Sequence, residues 1–351
     1  MILGISLVYG GVVRKKNSIY SMIFPYLILP VLLLFWISFV GRIIFDPSFN
    51  YKVNYEVFLI FQFLFSFISV ILMWGSVLER VRYRFIFFFS SAWLCLVYMP
   101  VAFHVLSPNG FIAKLGIYDF AGGFTVHLTS GLSALVLANC IGRRLDYFQL
   151  KNKFNQTLIF LGTILIWIGW FGFNGGSSLL LNDEGISAVI ATFIAPIFSL
   201  GVWYLIDFLY TPHKISLVSL CIAIVSGLVA ITPGAGSVSA FQSIIIGLAA
   251  GATCNFSHRL MHKVFKVDDV LDVFSSHAIG GILGSLLAGY FISSSVFYAN
   301  LKACFIITSY TLIVSYILVK LIGLFCKARV SSQDEQEGLD IKYHAESVIN
   351  L

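Results

Sequence analysis

The chain has 351 residues, of which 59% are hydrophobic, 16% aromatic and 11% charged, and its formal net charge is +6. Soluble domains carry about 25% charged residues, so this composition excludes an ordinary soluble enzyme and is typical of a membrane protein. The positive charge does not indicate a nucleic-acid partner, because it is concentrated in the connections between apolar segments.

Apolar runs of about 20 residues, the length needed to cross a bilayer, follow one another along the chain. We place them near 21–44, 54–78, 85–106, 121–141, 157–181, 186–210, 215–233, 238–257, 270–293 and 300–326. A shorter run over 1–13 indicates a truncated first helix or a wrong start codon. The sequence thus predicts an all-α membrane protein of about eleven transmembrane helices, with a membrane domain over 1–326 and a cytoplasmic C-terminal tail over 327–351.

The basic residues divide unequally between alternate connections. Eighteen of the 22 Lys and Arg residues lie in one set of connections and at the C-terminal end. The other set holds only Arg42, Lys52, Lys114 and Lys302. Because Lys and Arg accumulate in cytoplasmic loops, we expect a multi-pass inner or plasma membrane protein with its N-terminus outside and its C-terminus in the cytoplasm. His258 and His262, which lie among these residues, are expected only to add to the cytoplasmic charge.

The pattern Asp-x7-His-x3-Gly occurs twice, at 119–131 and at 269–281. Five segments per half is an odd number, which predicts a five-plus-five inverted repeat with one extra helix. Eight helical residues rise about 12 Å, so His127 and His277 would approach the middle of a hydrocarbon core of about 30 Å from opposite faces. Polar residues in matching positions of two halves favour a transporter or channel with a midplane site.

The paired histidines and aspartates each admit a structural and a functional interpretation. The duplicated spacing favours hydrogen bonding or proton relay between the imidazoles over two independent packing histidines. A metal site usually needs three or four ligands, and without a third intramembrane candidate we expect no metal and no other cofactor. Asp119 and Asp269 are interpreted first as helix-start caps, with cation attraction at a pore mouth as the alternative. Asp272 has the same two interpretations.

Aromatic residues form the next candidate set. Phe61 and Phe65 lie in IFQFLFSF, whereas Phe173 lies in WFGFNGGSS, which also contains Ser177. Gly and Asn interrupt the apolar run of the second segment, as expected where backbone lines a cavity. Aromatic faces also bind small cations, so these residues are candidates for a cation-binding pore entrance.

Several stretches of the chain resemble the ammonium transporters of the Amt/Mep/Rh group. They cover nearly the whole chain in order, and the first and last are similar to the Amt/Mep branch rather than the Rh branch. They are YGGVVRKKN (9–17), the segment 61–65, ERVRY (79–83), DFAGGFTVH (119–127), WFGFNGGS (170–177), GLVAITPGAG (227–236), VDDVLDVFSSH (267–277) and EGLDIKYHAES (337–347).

The resemblance implies a homotrimer of eleven-helix protomers, each with its own narrow apolar pore. Ammonium would be bound outside, deprotonated on entry and passed as ammonia, with the proton transferred by way of paired histidines. His127 and His277 match those histidines by position. Phe65 and Phe173 match the stacked phenylalanines that close the outer pore.

The resemblance also assigns an outer substrate site, with one departure. Phe61 and Ser177 match parts of that site, and Asp119 matches an aspartate beneath it. Leu106 stands where the family has a tryptophan. Since leucine has no π face, a cation contact of about 0.5–2 kcal/mol is missing, and we expect weaker recruitment of ammonium or reduced discrimination.

The tail completes the resemblance. Gly338 and Asp340 match the family's cytoplasmic C-terminal pattern, which implies a regulatory role and a possible PII-type partner protein. The leading functional hypothesis is ammonium or ammonia transport. The alternative is an ammonium sensor that transports weakly and signals through its tail. An intramembrane enzyme is disfavoured, because no nucleophile or metal set is visible.

Overall fold

Apolar runs form helices along the whole chain. The computed structural model describes residues 1–49, 51–148, 154–180, 182–212 and 215–348. The main helices, in chain order, are α1 (Ile2–Val12), α2 (Lys15–Ile44), α3 (Tyr55–Trp74), α4 (Tyr83–Leu106), α5 (Gly123–Ile141), α6 (Gln156–Gly176), α7 (Asp183–Tyr210), α8 (Leu217–Gly234), α9 (Ala240–Phe265), α10 (Phe274–Ile292), α11 (Ser294–Gly323), α12 (Ser332–Glu337) and α13 (Leu339–His344).

The all-α membrane fold expected from the sequence is confirmed. Within the described ranges, ten helices are long and apolar enough to cross a membrane, and α1 is a shorter apolar helix of 11 residues. The same residues form no strand, only an isolated bridge between Val81 and Arg329. Helix boundaries lie within a few residues of the expected ones, except that α2 and α11 begin earlier and α9 ends later.

The extension of α9 has a physical cause. The apolar run ends near residue 257, but the helix continues to Phe265 and finishes in a π-helical turn. Arg259 pairs with Asp207 at 2.5 Å, and His262 Nε2 lies 2.6 Å from Asp272 Oδ1. The polar residues at the end of the apolar run therefore do not end the helix, because α7 and the connection before α10 supply their partners.

The helices alternate in direction, so the two halves are inverted. The bundle end against which α12 and α13 pack is called the tail end here. α5 begins at the opposite end, where the Phe120 amide donates to the Pro233 carbonyl at 3.0 Å. The connection before α10 lies at the tail end, where the Val270 amide donates to the Ser76 carbonyl at 3.1 Å. The helices that carry the two repeated motifs therefore enter the bundle from opposite ends.

Small residues allow α5 and α10 to cross closely. A Cβ atom added to Gly131 would lie 2.2 Å from the Ala278 amide nitrogen, and one added to Gly281 would lie 3.0 Å from the Gly123 carbonyl oxygen. The distance at Gly131 leaves no room for a side chain, and the distance at Gly281 is tighter than an ordinary Cβ contact, so small residues let the backbones approach closely here. The crossing places the two histidine-bearing segments side by side.

A buried ionic network fixes the loops at the tail end. Glu79 accepts from Arg144 at 2.7 Å and from Arg14 at 2.9 Å, and Arg144 also donates to Asp268 at 2.7 Å. Burial opposes ionisation of Glu79, but the two guanidinium groups hold its pKa at about 2. Since removing one partner of a buried ion pair leaves an uncompensated charge, the network resists rearrangement and holds the connection before α10 in place.

The tail packs on the bundle instead of extending from it. Asp340 accepts hydrogen bonds from the amides of Ile19 (3.1 Å) and Tyr20 (2.8 Å) in the first turns of α2, and the Leu339 amide donates to Asn17 Oδ1 at 2.9 Å. Residues 349–351 of the expected tail lie outside the described residues. So do Lys151, Lys153 and Lys214, which contributed to the charge bias.

Candidate pore site

The structure brings the two motif histidines into direct contact. His127 Nδ1 and His277 Nδ1 lie 3.2 Å apart, and the ring centroids are 5.3 Å apart. The side chains are 0% and 4% exposed, although 150 positions separate them in the chain. Both residues lie in π-helical turns, Gly123–Leu128 and Phe274–Ile279, with which α5 and α10 begin. Such turns are frequent at functional sites.

The contact between two Nδ1 atoms constrains the protonation of the pair. Only one proton can lie between the two nitrogens, so one imidazole donates from Nδ1 and the other accepts there. In two neutral rings, the donor then has a free lone pair on Nε2, whereas the acceptor carries its proton on Nε2. His127 Nε2 is buried without a hydrogen-bond partner among the described residues. That atom is available to a small polar solute.

Stacked aromatic rings lie next to His127 on the side away from the tail end. Phe65 and Phe173 stack with centroids 4.2 Å apart, and each is 5% exposed. Phe61 packs edge-on against Phe65 at 5.0 Å, and the Phe173 ring lies 6.1 Å from His127. Rings in van der Waals contact leave no passage between them, so a solute can reach His127 along this route only if a ring turns.

Trp170 holds His127 in position. The two rings stack with centroids 5.4 Å apart and an interplanar angle of 16°. Trp170 Nε1 donates to Thr232 Oγ1 at 3.0 Å, which ties the indole to the end of α8. The imidazole therefore keeps its orientation through packing.

An apolar cavity adjoins His277 on the other side of the pair. It lies between α1, α6, α8 and the start of α10, and its lining includes Ile5, Tyr9, Ile166, Val273 and His277. The Tyr9 hydroxyl donates to the Ile71 carbonyl at 2.6 Å, so that polar group is already satisfied. The cavity offers few hydrogen-bond partners to a passing solute besides the imidazole.

Asp119 caps the N-terminal end of α5. Its carboxylate accepts from the amides of Gly122 (3.2 Å), Gly123 (2.5 Å) and Phe124 (3.0 Å). Burial raises the pKa of Asp119 to about 6, although these amides favour the ionised form. The contacts are those of a helix cap, and they orient the turn that carries His127.

The second motif repeats this cap only in part. Asp269 Oδ2 accepts from the Phe274 amide at 2.8 Å, whereas Oδ1 has no partner among the described residues. Burial and the nearby Asp272 raise the pKa of Asp269 to about 6. Asp272 does not cap the helix with its carboxylate. That group instead contacts His258 and His262, which the sequence analysis assigned only to the charged surface.

No direct contact with the paired histidines is recorded for the remaining site candidates, Ser177, Leu106, Gly338 and Asp340, among the described residues. The Ser177 hydroxyl donates to the Phe173 carbonyl at 2.9 Å, within its own helix. Leu106 is half-buried at the end of α4 and packs on the hydrophobic core. Gly338 and Asp340 lie at the tail end, away from the aromatic pair. The structure therefore gathers the histidines and phenylalanines, but not the tail residues, around one path.

Sequence reasoning missed several residues along this path. Trp170 was noted only as part of an aromatic run, and Ile5, Tyr9 and Val273 were not singled out. They come from three separate segments that meet only in the folded chain. No local spacing identifies such residues. His258 and His262 were recognisable by their four-residue spacing, which places two imidazoles on one helix face.

Comparison with known proteins gives a consistent result. The sequence profile described as Ammonium Transporter Family matches residues 1–349. The ammonium transporter of Bacillus subtilis (strain 168) is 34% identical over 381 residues, covering 98% of this chain and 93% of the relative. Ammonium transporter Amt1 of Archaeoglobus fulgidus is 33% identical over 374 residues, covering 99% and 94%.

Solved structures agree with the sequence relatives. Mep2 of Candida albicans superposes with a TM-score of 0.86 at 26% identity, covering 95% of this chain and 83% of that chain. Mep2 of Saccharomyces cerevisiae gives 0.83 at 27% identity, covering 95% and 84%. A structure named Sensor Amt Protein gives 0.90 at 22% identity, a likeness that shows the fold alone.

Proposed function

The chain belongs to the ammonium transporter family, and we propose that it moves ammonium across the membrane as ammonia plus a proton, by way of His127 and His277. The observation that carries this proposal is the 3.2 Å contact between two buried imidazoles, with stacked phenylalanines on one side and an apolar cavity on the other.

Desolvation explains why ammonium should lose its proton. Moving an ammonium-sized ion into a low-dielectric medium costs several kcal/mol even after relaxation. The cavity beyond His277 has almost no polar lining to offset that cost. Neutral ammonia avoids the charge penalty and can exchange hydrogen bonds with an imidazole. Potassium cannot lose its charge in this way, and the apolar path therefore favours ammonium over potassium.

The imidazole pair provides a route for the released proton. If His127 begins as the Nδ1 donor, its Nε2 lone pair accepts a proton from ammonium, leaving ammonia. The Nδ1 proton of His127 then passes to His277 Nδ1, and His277 releases its own Nε2 proton to water or ammonia on the tail-end side of the pair. One proton has then crossed the pair and both tautomers are reversed. The pair can carry a second proton only after both imidazoles have returned to their starting tautomers.

The outer residues act before this step. Phe61 provides an aromatic face for the cation, and Asp119 fixes the turn that carries His127. The stacked Phe65 and Phe173 rings then admit the solute when one ring turns. Ser177 adds a hydroxyl near this entrance, and Leu106 takes the place at which the family tryptophan would provide a second aromatic face.

Membrane orientation and assembly extend the proposal. The charge bias supports an orientation with the tail end in the cytoplasm and the aromatic pair toward the outside. A homotrimer and a PII-type regulatory partner stay predictions from the resemblance. Cross-linking of the chain in native membranes tests the trimer, and accessibility of a tag after residue 351 tests the orientation.

Currents in proteoliposomes test the function directly. The purified chain is reconstituted, and ammonium and potassium are applied in turn, with protein-free vesicles as the baseline. We expect a current that is evoked by ammonium and not by potassium. Equal currents for the two ions would contradict the proposed path. Ammonia entry without any current would contradict proton transfer through the pair.

A further inference from the structure

A compact group of possible metal ligands lies at the tail end, outside the path described above. His262 Nε2 lies 2.6 Å from Asp272 Oδ1, and His258 Nδ1 lies 2.9 Å from the same oxygen. Each of the three residues offers one ligand atom, and these atoms all lie within 4.8 Å of one another. Two imidazole nitrogens and one carboxylate oxygen thus converge on a single point.

The local fold explains why these side chains meet. His258 and His262 are four residues apart on α9 and therefore project from one face of the helix. Asp272 lies in the connection before α10 with a φ of +54°, in the left-handed region that few non-glycine residues adopt. The strained backbone at Asp272 persists because the surrounding structure holds it there.

Accessibility and charge suit a cation. The imidazole side chains are 29% and 32% exposed, whereas the Asp272 side chain is 7% exposed. The imidazole rings therefore border solvent, whereas His258 Nδ1 is buried without a hydrogen-bond partner among the described residues and lies against the Asp272 carboxylate.

Neighbouring cations do not block the position. Arg259, next to His258 in the chain, is already paired with Asp207 at 2.5 Å. Lys263 and Lys266 are exposed at the end of α9, where long side chains can extend into water.

We propose that His258, His262 and Asp272 bind a divalent transition-metal ion of the Zn²⁺ class. Neutral imidazole and carboxylate are ligands that Zn²⁺ takes at about 2.0–2.2 Å, and three protein ligands leave one position for water. To admit the ion, the two nitrogens separate slightly from the carboxylate oxygen that they now contact. The rival interpretation is a hydrogen-bonded cluster that needs no metal.

The position gives the ion a structural consequence. Asp272 precedes His277 by five residues, and its carbonyl accepts from the Ser276 amide at 2.9 Å. A bound ion therefore ties the end of α9 to the first turn of α10. It stabilises the folded chain by mass action, whether or not the pore conducts.

Metal titration of the full chain tests the proposal. The protein is purified in detergent through a tag without histidine, and Zn²⁺ binding is followed by calorimetry. Co²⁺ is titrated as a spectroscopic probe, because its visible absorption reports the ligand geometry. We expect one saturable site per chain and a Co²⁺ spectrum of low coordination number. Absence of a one-to-one site would overturn the proposal.

Matched variants assign the site. His262→Asn and Asp272→Asn should each lower the affinity by about 100-fold, since loss of a ligand costs at least as much as loss of an outer-shell partner. His104→Asn removes a histidine near the opposite end and should leave the affinity unchanged. Equal binding by wild type and both site variants would show that the ion binds elsewhere and would refute the assignment.

A measurement on the wild-type chain guards against misfolded variants. Diethyl pyrocarbonate modifies accessible imidazoles, and mass spectrometry identifies each modified histidine. We expect Zn²⁺ to protect His258 and His262 while leaving His104 reactive. If both residues react equally with and without Zn²⁺, the cluster is a hydrogen-bonded group only, and the proposal is wrong.

Discussion

His127 Nδ1 lies 3.2 Å from His277 Nδ1, and Trp170 stacks on the first ring. Because the two nitrogens share one proton, the remaining two Nε2 atoms differ in character, one accepting and one donating. A pair of this kind can take up a proton on one side and release it on the other. Two histidines that contacted each other only through ring carbon atoms would not link the two sides in this way.

Replacing Phe173 by Ala should weaken selectivity. The Phe65 and Phe173 rings stack at 4.2 Å and close the route to His127. Removing one ring opens a gap that water and hydrated ions can enter. We expect the ratio of potassium to ammonium current to rise severalfold in proteoliposomes. Phe88→Ala, which removes a 44% exposed ring, is the matched control. An unchanged ratio in Phe173→Ala would show that the stacked rings are not the barrier.

Replacing Leu106 by Trp should tighten apparent ammonium affinity. A cation–π contact of about 0.5–2 kcal/mol corresponds to a two- to thirtyfold change in binding. Leu106 is half-buried, so an indole has space only on its open side. The half-saturating ammonium concentration for the evoked current is the measurement. Leu115→Trp, at an exposed position near the same end, is the control. The same half-saturation in wild type and Leu106→Trp would exclude this explanation.

Asp119 should make stability depend on pH in a defined direction. Burial raises its pKa from 3.8 to about 6, so the folded chain binds a proton that the unfolded chain releases between these values. The contribution of Asp119 to stability is therefore greatest below pH 4 and decreases as pH rises through 6, by about 3 kcal/mol. Asp119→Asn lacks this dependence.

Paired melting curves isolate that contribution. The melting temperatures of wild type and Asp119→Asn are compared in detergent at several pH values, so that titration of other groups cancels in the difference. The wild type should lose stability relative to the variant from pH 4 to pH 6, and the difference should level off above pH 7. A difference that grows in favour of the wild type as pH rises would refute the raised pKa.

Replacing Gly338 by Ala should release the tail. Gly338 has a φ of +115°, and an added Cβ would lie 2.7 Å from Lys16 Cβ. A strained non-glycine residue costs about 1–3 kcal/mol, enough to compete with the hydrogen bonds of Asp340 to α2. Limited proteolysis of residues 332–344 should be faster than in wild type. Gly323→Ala is the matched control, since its Cβ would meet nothing. Equal cleavage of both variants would argue against the docked arrangement.

The chain pattern predicts the architecture because its signals are local. Apolar length specifies the helices, and the repeated Asp-x7-His-x3-Gly spacing places His127 and His277 at similar depths from opposite ends. Glycines at 131 and 281 then allow the helices to cross. Each of these features lies within a single segment, so it can be predicted from the sequence without knowledge of the fold.

Features that depend on contacts between distant segments could not be predicted from the sequence. The apolar cavity is lined by both Ile5 and Val273, and Asp340 in the tail accepts a hydrogen bond from the Tyr20 amide near the start of α2. The contacts of Asp272 with His258 and His262 turned an expected helix-start residue into part of a side-chain cluster. In each case the partner is fixed by packing, and no spacing within one segment encodes it.

The most direct test of the account compares wild type with His277→Asn. The asparagine amide can occupy the place of Nδ1 and keep the contact with His127, but it has no Nε2 and cannot carry a proton. Proteoliposomes with each protein receive the same ammonium pulse, and current and internal pH are recorded together. His104→Asn serves as the control for loss of a histidine.

We predict that His277→Asn reduces the ammonium-evoked current at least about a hundredfold, the scale of a lost proton-transfer group, while His104→Asn retains it. A His277→Asn protein that is folded and carries the wild-type ammonium current would contradict proton transfer through the histidine pair.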